Sequence, residues 1–167
     1  MKMTYGYRMM LYTAVCCTMV FFVIAGLSAC KREKADVLVQ QEVEAADINR
    51  IWNCHNAENK FPSQINANIE GAWVWQNVTC NGASPRTLSA DKQVVVTFND
   101  GGLYKVFESG KITSEGSWTL SRADADNWII TTSSPSVYLK GYVLLCKNEL
   151  VLFSGYLDGC DYYFTRQ

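Results

Sequence analysis

The hydrophobic and polar positions change their rhythm twice along the chain. Residues 9–26 carry no charged side chain, residues 37–53 space their apolar side chains three and four apart, and from residue 70 apolar and polar positions alternate in short runs. In the second region Val39, Val43, Ala46, Ile48, Ile51 and Trp52 fall on one side of a helical wheel, with Glu42, Glu44, Asp47 and Arg50 turned to solvent. That spacing predicts an amphipathic helix over 37–53. Phe61-Pro62-Ser63 ends any helix, which leaves 54–69 as an irregular, Asn-rich lead-in.

The alternation beyond residue 70 predicts eight strands, at 71–79, 93–99, 103–108, 112–120, 128–132, 137–146, 150–156 and 161–166. Asn99-Asp100-Gly101-Gly102 is a tight-hairpin signal, because Gly, Asn and Asp tolerate a positive φ. Turns are also marked by Ser109-Gly110-Lys111, Ser133-Ser134-Pro135, Lys147-Asn148-Glu149 and Asp158-Gly159, and 80–92 reads as the longest loop. The fold class is therefore all-β. Eight short strands in sequential order, preceded by one N-terminal helix, fit an up-and-down antiparallel barrel, which has no free sheet edge. A two-sheet sandwich is the competing arrangement.

Composition sharpens this in two ways. Aromatic residues make up 13% of the chain, which suits pleated, half-buried surfaces. Beyond Lys2 and Arg8, 13 basic and 16 acidic residues remain, a balance that excludes a nucleic-acid partner needing a clustered basic face. Lys2 and Arg8, the uncharged run after them and the small residues before Cys30 have the layout of a secretory signal over 1–29. Leu27-Ser28-Ala29-Cys30 resembles the lipobox of bacterial lipoproteins. The resemblance implies cleavage before Cys30, lipidation of its sulfur, a charged tether over 30–36 and anchoring in a membrane of the cell envelope. Lys31 behind the cysteine favours the outer membrane, by resemblance to the sorting rule of enteric bacteria. An uncleaved spanning anchor is the alternative, opposed by Lys31, Arg32 and Lys34 on the far side of the apolar run.

Catalytic chemistry has little support. His55, the single histidine, adjoins Cys54, but a metal site needs three or four ligands. Asp124 and Asp126 read as a turn rather than a calcium site, and no nucleophile elbow is present. The expectation is no enzyme, no cofactor and no metal.

Gly71-Ala72-Trp73 at the first strand and Arg166 on the last resemble the signature of the lipocalins. The order continues through Thr97-Phe98, Gly116-Ser117-Trp118 and Tyr162-Tyr163-Phe164, as in small lipocalin-like domains of envelope lipoproteins. The resemblance spans 71–167 and favours the barrel, here residues 70–167, over the sandwich. It implies that Trp73 sits at the closed end with Arg166 packed across it. Once Cys16 and Cys17 leave with the signal, Cys54, Cys80, Cys146 and Cys160 remain for disulfides, and four cysteines allow three pairings. On the barrel implied by the resemblance, Cys80 and Cys160 share the upper end and Cys54 and Cys146 the lower. That pairs Cys80 with Cys160 and Cys54 with Cys146, and holds segment 37–69 under the barrel. Alternation turns Trp75, Val96, Phe98, Trp118, Trp128, Val137 and Leu139 inward. These side chains either wall a pocket for a small hydrophobic or amphipathic ligand or simply fill an eight-stranded barrel. With a pocket the protein is a non-enzymatic binding protein; with a filled barrel its loops dock an envelope protein or a glycan.

Overall fold

The computed structural model describes residues 41–167 apart from residue 125. The signal, Cys30 and the tether lie outside the described residues. Two helices, α1 (Ile48–Glu58) and α2 (Pro62–Ile69), precede nine strands: β1 (Gly71–Cys80), β2 (Arg86–Ser89), β3 (Val94–Asn99), β4 (Leu103–Glu108), β5 (Lys111–Arg122), β6 (Trp128–Thr132), β7 (Tyr142–Cys146), β8 (Glu149–Phe153) and β9 (Cys160–Arg166). Strands β1 and β3 to β9 pair antiparallel in order, and β9 returns to β1, so eight strands close a barrel. One edge of β1 runs along β9 from Trp73↔Arg166 to Cys80↔Cys160. Its other edge is shared, with residues 71–74 on β3 and 77–80 on β2.

Four expectations are corrected. The helix begins at Ile48, because the Asp47 carboxylate caps it by accepting from the Arg50 N–H at 3.0 Å. Residues 41–43 are instead extended against β2, through Gln41, Val43, Thr87 and Ser89 backbone bonds. Pro62 starts a helix rather than ending one. At the first helical position its missing N–H is not needed, and the Gln64 side chain accepts from the Phe61 N–H at 3.1 Å. The 80–92 loop contains β2. The strand expected over 137–146 covers only Tyr142–Cys146, since Gly141, at φ 100°, turns the chain out of extended geometry.

Two hydrophobic layers result. The barrel interior holds Trp73, Val94, Val96, Phe98, Tyr104, Val106, Val143, Leu145, Leu150, Leu152 and Phe164, and α2 adds Ile65 and Ile69 from below. Each fully buried isoleucine contributes about 1.5–3 kcal/mol of apolar burial. The second layer is outside the wall. Leu144, Cys146 and Val151, on the opposite faces of β7 and β8, pack against Ile51, with Trp52 and Cys54 beside them. The expected position of the N-terminal helix is thus also corrected: α1 covers the outer face of β7 and β8, and α2 caps the closed end. This explains why β7 and β8 read as continuous apolar runs, being buried on both faces. Among the described residues no helix is long and apolar enough to cross a membrane.

Candidate functional site

The barrel interior is occupied by its own side chains. Trp75, Val96, Phe98, Trp118 and Leu139 are all buried in one cluster, with Trp128 half-buried against it. Phe98 and Trp118 meet edge to face with centroids 5.3 Å apart. Val137, expected inside, is 59% exposed, because the chain ahead of β7 is a loop and not a strand. That loop, residues 133–141, carries the stopper of the mouth. Its Tyr138 ring lies 5.5 Å from both Trp75 and Tyr162. The Tyr138 hydroxyl donates to Glu108 at 3.3 Å, and Glu108 pairs with the Lys92 ammonium at 2.5 Å. Glu108 holds Lys92 protonated, with its pKa pushed up to about 12, and burial raises the Tyr138 phenol. The loop is held down where the Tyr104 hydroxyl donates to the Ser134 carbonyl at 2.8 Å. Tyr138, Lys92 and Glu108 escaped the sequence reading; the run Ser133-Ser134-Pro135-Ser136 was the available sign that the chain there is a loop.

The closed end is built differently. Trp73 is fully buried and its indole N–H donates to the Ile69 carbonyl at 2.6 Å. The Arg166 guanidinium lies 4.3 Å above the ring, a cation–π contact. It also donates to the Glu70 carbonyl at 2.6 Å and to the Asn68 carbonyl, so it caps the last turn of α2. Gly71 adopts φ 118°, and a Cβ there would stand 2.8 Å from the Arg166 guanidinium. Glycine at that position is therefore required by conformation, and a side chain there would push the Arg166 guanidinium from its place.

Cys80–Cys160 bridges β1 to β9 at the barrel seam, and Cys54–Cys146 fixes α1 to the end of β7. His55 is 2% exposed on the inner side of α1. The ladder between β6 and β7 is a single pair, Ile129↔Tyr142. Below it, His55 Nδ1 accepts the Leu145 N–H at 3.0 Å, and the Asn59 amide donates to the Leu145 carbonyl at 3.1 Å. The two side chains take the place of a neighbouring strand. An accepting Nδ1 requires the neutral imidazole, and burial lowers the His55 pKa to about 4. His55 is thus part of the wall. Among the described residues no three His, Cys, Asp or Glu side chains form a group able to hold a metal ion. Asp124 accepts from the backbone of Asp126 and Asn127 and from the Asn127 amide, an arrangement that builds a turn.

A groove of about 410 Å³ opens at the closed end, between α2, the β3–β4 turn and the lower part of β5. At the opposite end the mouth is stopped by Tyr138, and the concavity lies where α2 leaves the barrel floor incompletely covered. Trp118 reaches it from the interior, and its Nε1 is buried without a hydrogen-bond partner among the described residues.

The fold and its two ends define a small, disulfide-bonded antiparallel barrel with a helical cap. No protein-family model, curated protein or solved structure matches the chain.

Proposed function

We propose that the chain is a non-enzymatic binding protein of the cell envelope, anchored by a lipid on Cys30 in the outer membrane. It docks an envelope protein or a glycan through the loops around the barrel mouth. The observation that carries this reading is the filled interior. A ligand entering the mouth must displace Tyr138 and Leu139, break the Tyr138–Glu108 bond and separate rings already in contact. The rim offers exposed apolar side chains, with Ile112 49% and Val137 59% exposed beside the β4–β5 turn and in the 133–141 loop. Envelope placement rests on the sequence layout of residues 1–34 and is supported by the two disulfides, which persist in oxidising compartments.

Native mass spectrometry of the full lipoprotein, isolated in detergent from its host, tests this. A bound protein or glycan that is lost from the Val137→Asp variant supports docking through the rim. A small apolar ligand at one copy per chain, released by denaturation, would sink it and restore a ligand-filled barrel.

A further inference from the structure

The two disulfides sit in unlike surroundings. Cys80 and Cys160 face each other across the β1–β9 ladder, where the pairing from Trp73↔Arg166 onward already joins the two strands. Cys54 and Cys146 join two elements that share no ladder, α1 and the last residue of β7. Their bridge also has a charged neighbour. The Arg50 guanidinium, one helical turn before Cys54, donates to Cys146 Sγ at 3.9 Å. The same guanidinium pairs at 2.7 Å with the carboxylate of Glu149, the residue that faces Cys146 across the β7–β8 turn.

When a thiolate opens a disulfide, the sulfur that departs must leave as a thiolate, and a neighbouring guanidinium stabilises that anion. Arg50 is placed to do so for Cys146. The two sulfurs also differ in access. Cys146 is 3% exposed, whereas Cys54 is half-buried. Arg50, Ala57 and Glu58, one turn away on the Cys54 side of α1, are exposed, and so is the Lys147-Asn148 turn that follows Cys146. The bridge thus lies at the solvent margin of the contact between α1 and β7, with Cys54 on its outer side. His55 supplies no charge there, since its Nδ1 accepts the Leu145 N–H.

We propose that Cys54–Cys146 is an exchange site for a dithiol reductant, the chemical class of a thiol–disulfide oxidoreductase. A thiolate of the reductant, its proton lost to water, attacks Cys54 Sγ and forms a new sulfur–sulfur bond there. The Cys54–Cys146 bond breaks, and Cys146 leaves with the electron pair as a thiolate beside Arg50. The reductant's second thiol, deprotonated in turn, displaces Cys54. The reductant ends as a disulfide, and Cys54 and Cys146 take up two electrons and two protons. The covalent tie between α1 and β7 is then gone. What still holds the helix is the packing of Ile51 on Leu144 and Val151 and the hydrogen bonds of His55 and Asn59 to Leu145. Exchange at this site therefore loosens the cover over the outer face of β7 and β8.

The test exposes the full-length, oxidised chain in detergent micelles to reduced glutathione, quenches with N-ethylmaleimide and maps the cysteines by peptide mass. Glutathione has a single thiol, so the mixed disulfide accumulates. The expected product carries glutathione on Cys54 and maleimide on Cys146, with Cys80–Cys160 intact. Dithiothreitol then gives the rate of opening. Arg50→Gln slows it about fivefold through the poorer leaving group, although the change also removes the contact with Glu149 that helps to hold α1. Were Arg50 no more than a strut for the helix, its loss would speed opening. Arg50→Lys keeps the charge and stays within about twofold of the unaltered chain. An intact Cys80–Cys160 bridge in each variant reports that the barrel stands. Opening of Cys80–Cys160 first, glutathione on Cys146 instead of Cys54, or a rate that Arg50→Gln leaves unchanged or raises overturns the site.

Discussion

The two ends of the barrel are both closed, but by different means. At the closed end a helix lies across the opening, two isoleucines and a tryptophan are fully buried, and Arg166 covers the indole while bonding two carbonyls at the end of α2, those of Asn68 and the following Glu70. At the mouth a single loop lowers one tyrosine, and its polar tie runs to Glu108, which is itself paired with the partly exposed Lys92. The closed end combines large apolar burial with a Trp73 indole N–H and an Arg166 guanidinium that both donate to backbone carbonyls. The mouth combines ring contacts with an ion pair that water screens, and such pairs add about 0–1 kcal/mol. The difference teaches that Trp73 belongs to the foundation of the fold, whereas Tyr138 is a stopper whose removal leaves the barrel standing.

The largest effect that bears on this contrast is expected at Trp73. Trp73→Ala removes a fully buried indole, orphans the Ile69 carbonyl and uncovers Arg166, and is expected to cost about 3–5 kcal/mol. Urea unfolding of the oxidised protein measures it, with Tyr138→Ala as the partner experiment at the mouth. If Tyr138→Ala costs as much as Trp73→Ala, the mouth is as structural as the floor and the contrast fails.

How much of this contrast is legible in the sequence follows from the range of the interactions involved. The strands of the barrel are local patterns of alternation, and eight segments close to those expected form it. The Gly71/Arg166 juxtaposition connects residues at opposite ends of the domain, and only the resemblance of Gly71-Ala72-Trp73 and Arg166 to a known signature points to it. The second helix is hidden because Pro62 marks both a helix start and a helix stop. The stopper is hidden for a further reason. Residues 137–139 are apolar and run into the apolar stretch of β7, so the sequence reads them as part of that strand, whereas Tyr138 and Leu139 are buried from a loop that leaves Val137 exposed. Nothing in the sequence around Trp118 reveals that its N–H is unpaired, since that depends on which acceptors the fold brings to it.

Acid provides the next test, and it acts on the wall near the closed end. His55 has its pKa lowered to about 4 in the fold, from an ordinary value of 6.5. Between those two pH values the unfolded chain binds a proton that the folded chain refuses. The stability that depends on neutral His55 is therefore complete above about pH 6.5 and is lost as the pH falls toward about 4, by on the order of 2–3 kcal/mol. His55→Asn keeps an acceptor for the Leu145 N–H without a titrating group. It should flatten the pH dependence of the unfolding midpoint in that window. A wild-type midpoint that is level from pH 7 to pH 4.5 would show that His55 is accessible and that the β6–β7 seam opens without cost.

The smallest effect is expected at the mouth, where Glu108→Gln leaves the Tyr138 ring contacts untouched. Glu108 pairs with Lys92 while both remain partly exposed, at 25% and 42% of the side chain, so the loss should stay below about 1 kcal/mol. The Gln amide still accepts from the Tyr138 hydroxyl, but the ammonium loses its charged partner and the Lys92 pKa falls back from about 12. The effect should be local. Amide hydrogen exchange should quicken across residues 133–141 while protection in β1 and β9 is unchanged, because the loop is drawn from the least stable part of the molecule. If Glu108→Gln instead lowers protection along β1 and β9 together, the stopper and the barrel unfold as one unit. The mouth would then be a second foundation rather than a closure that can be lifted alone.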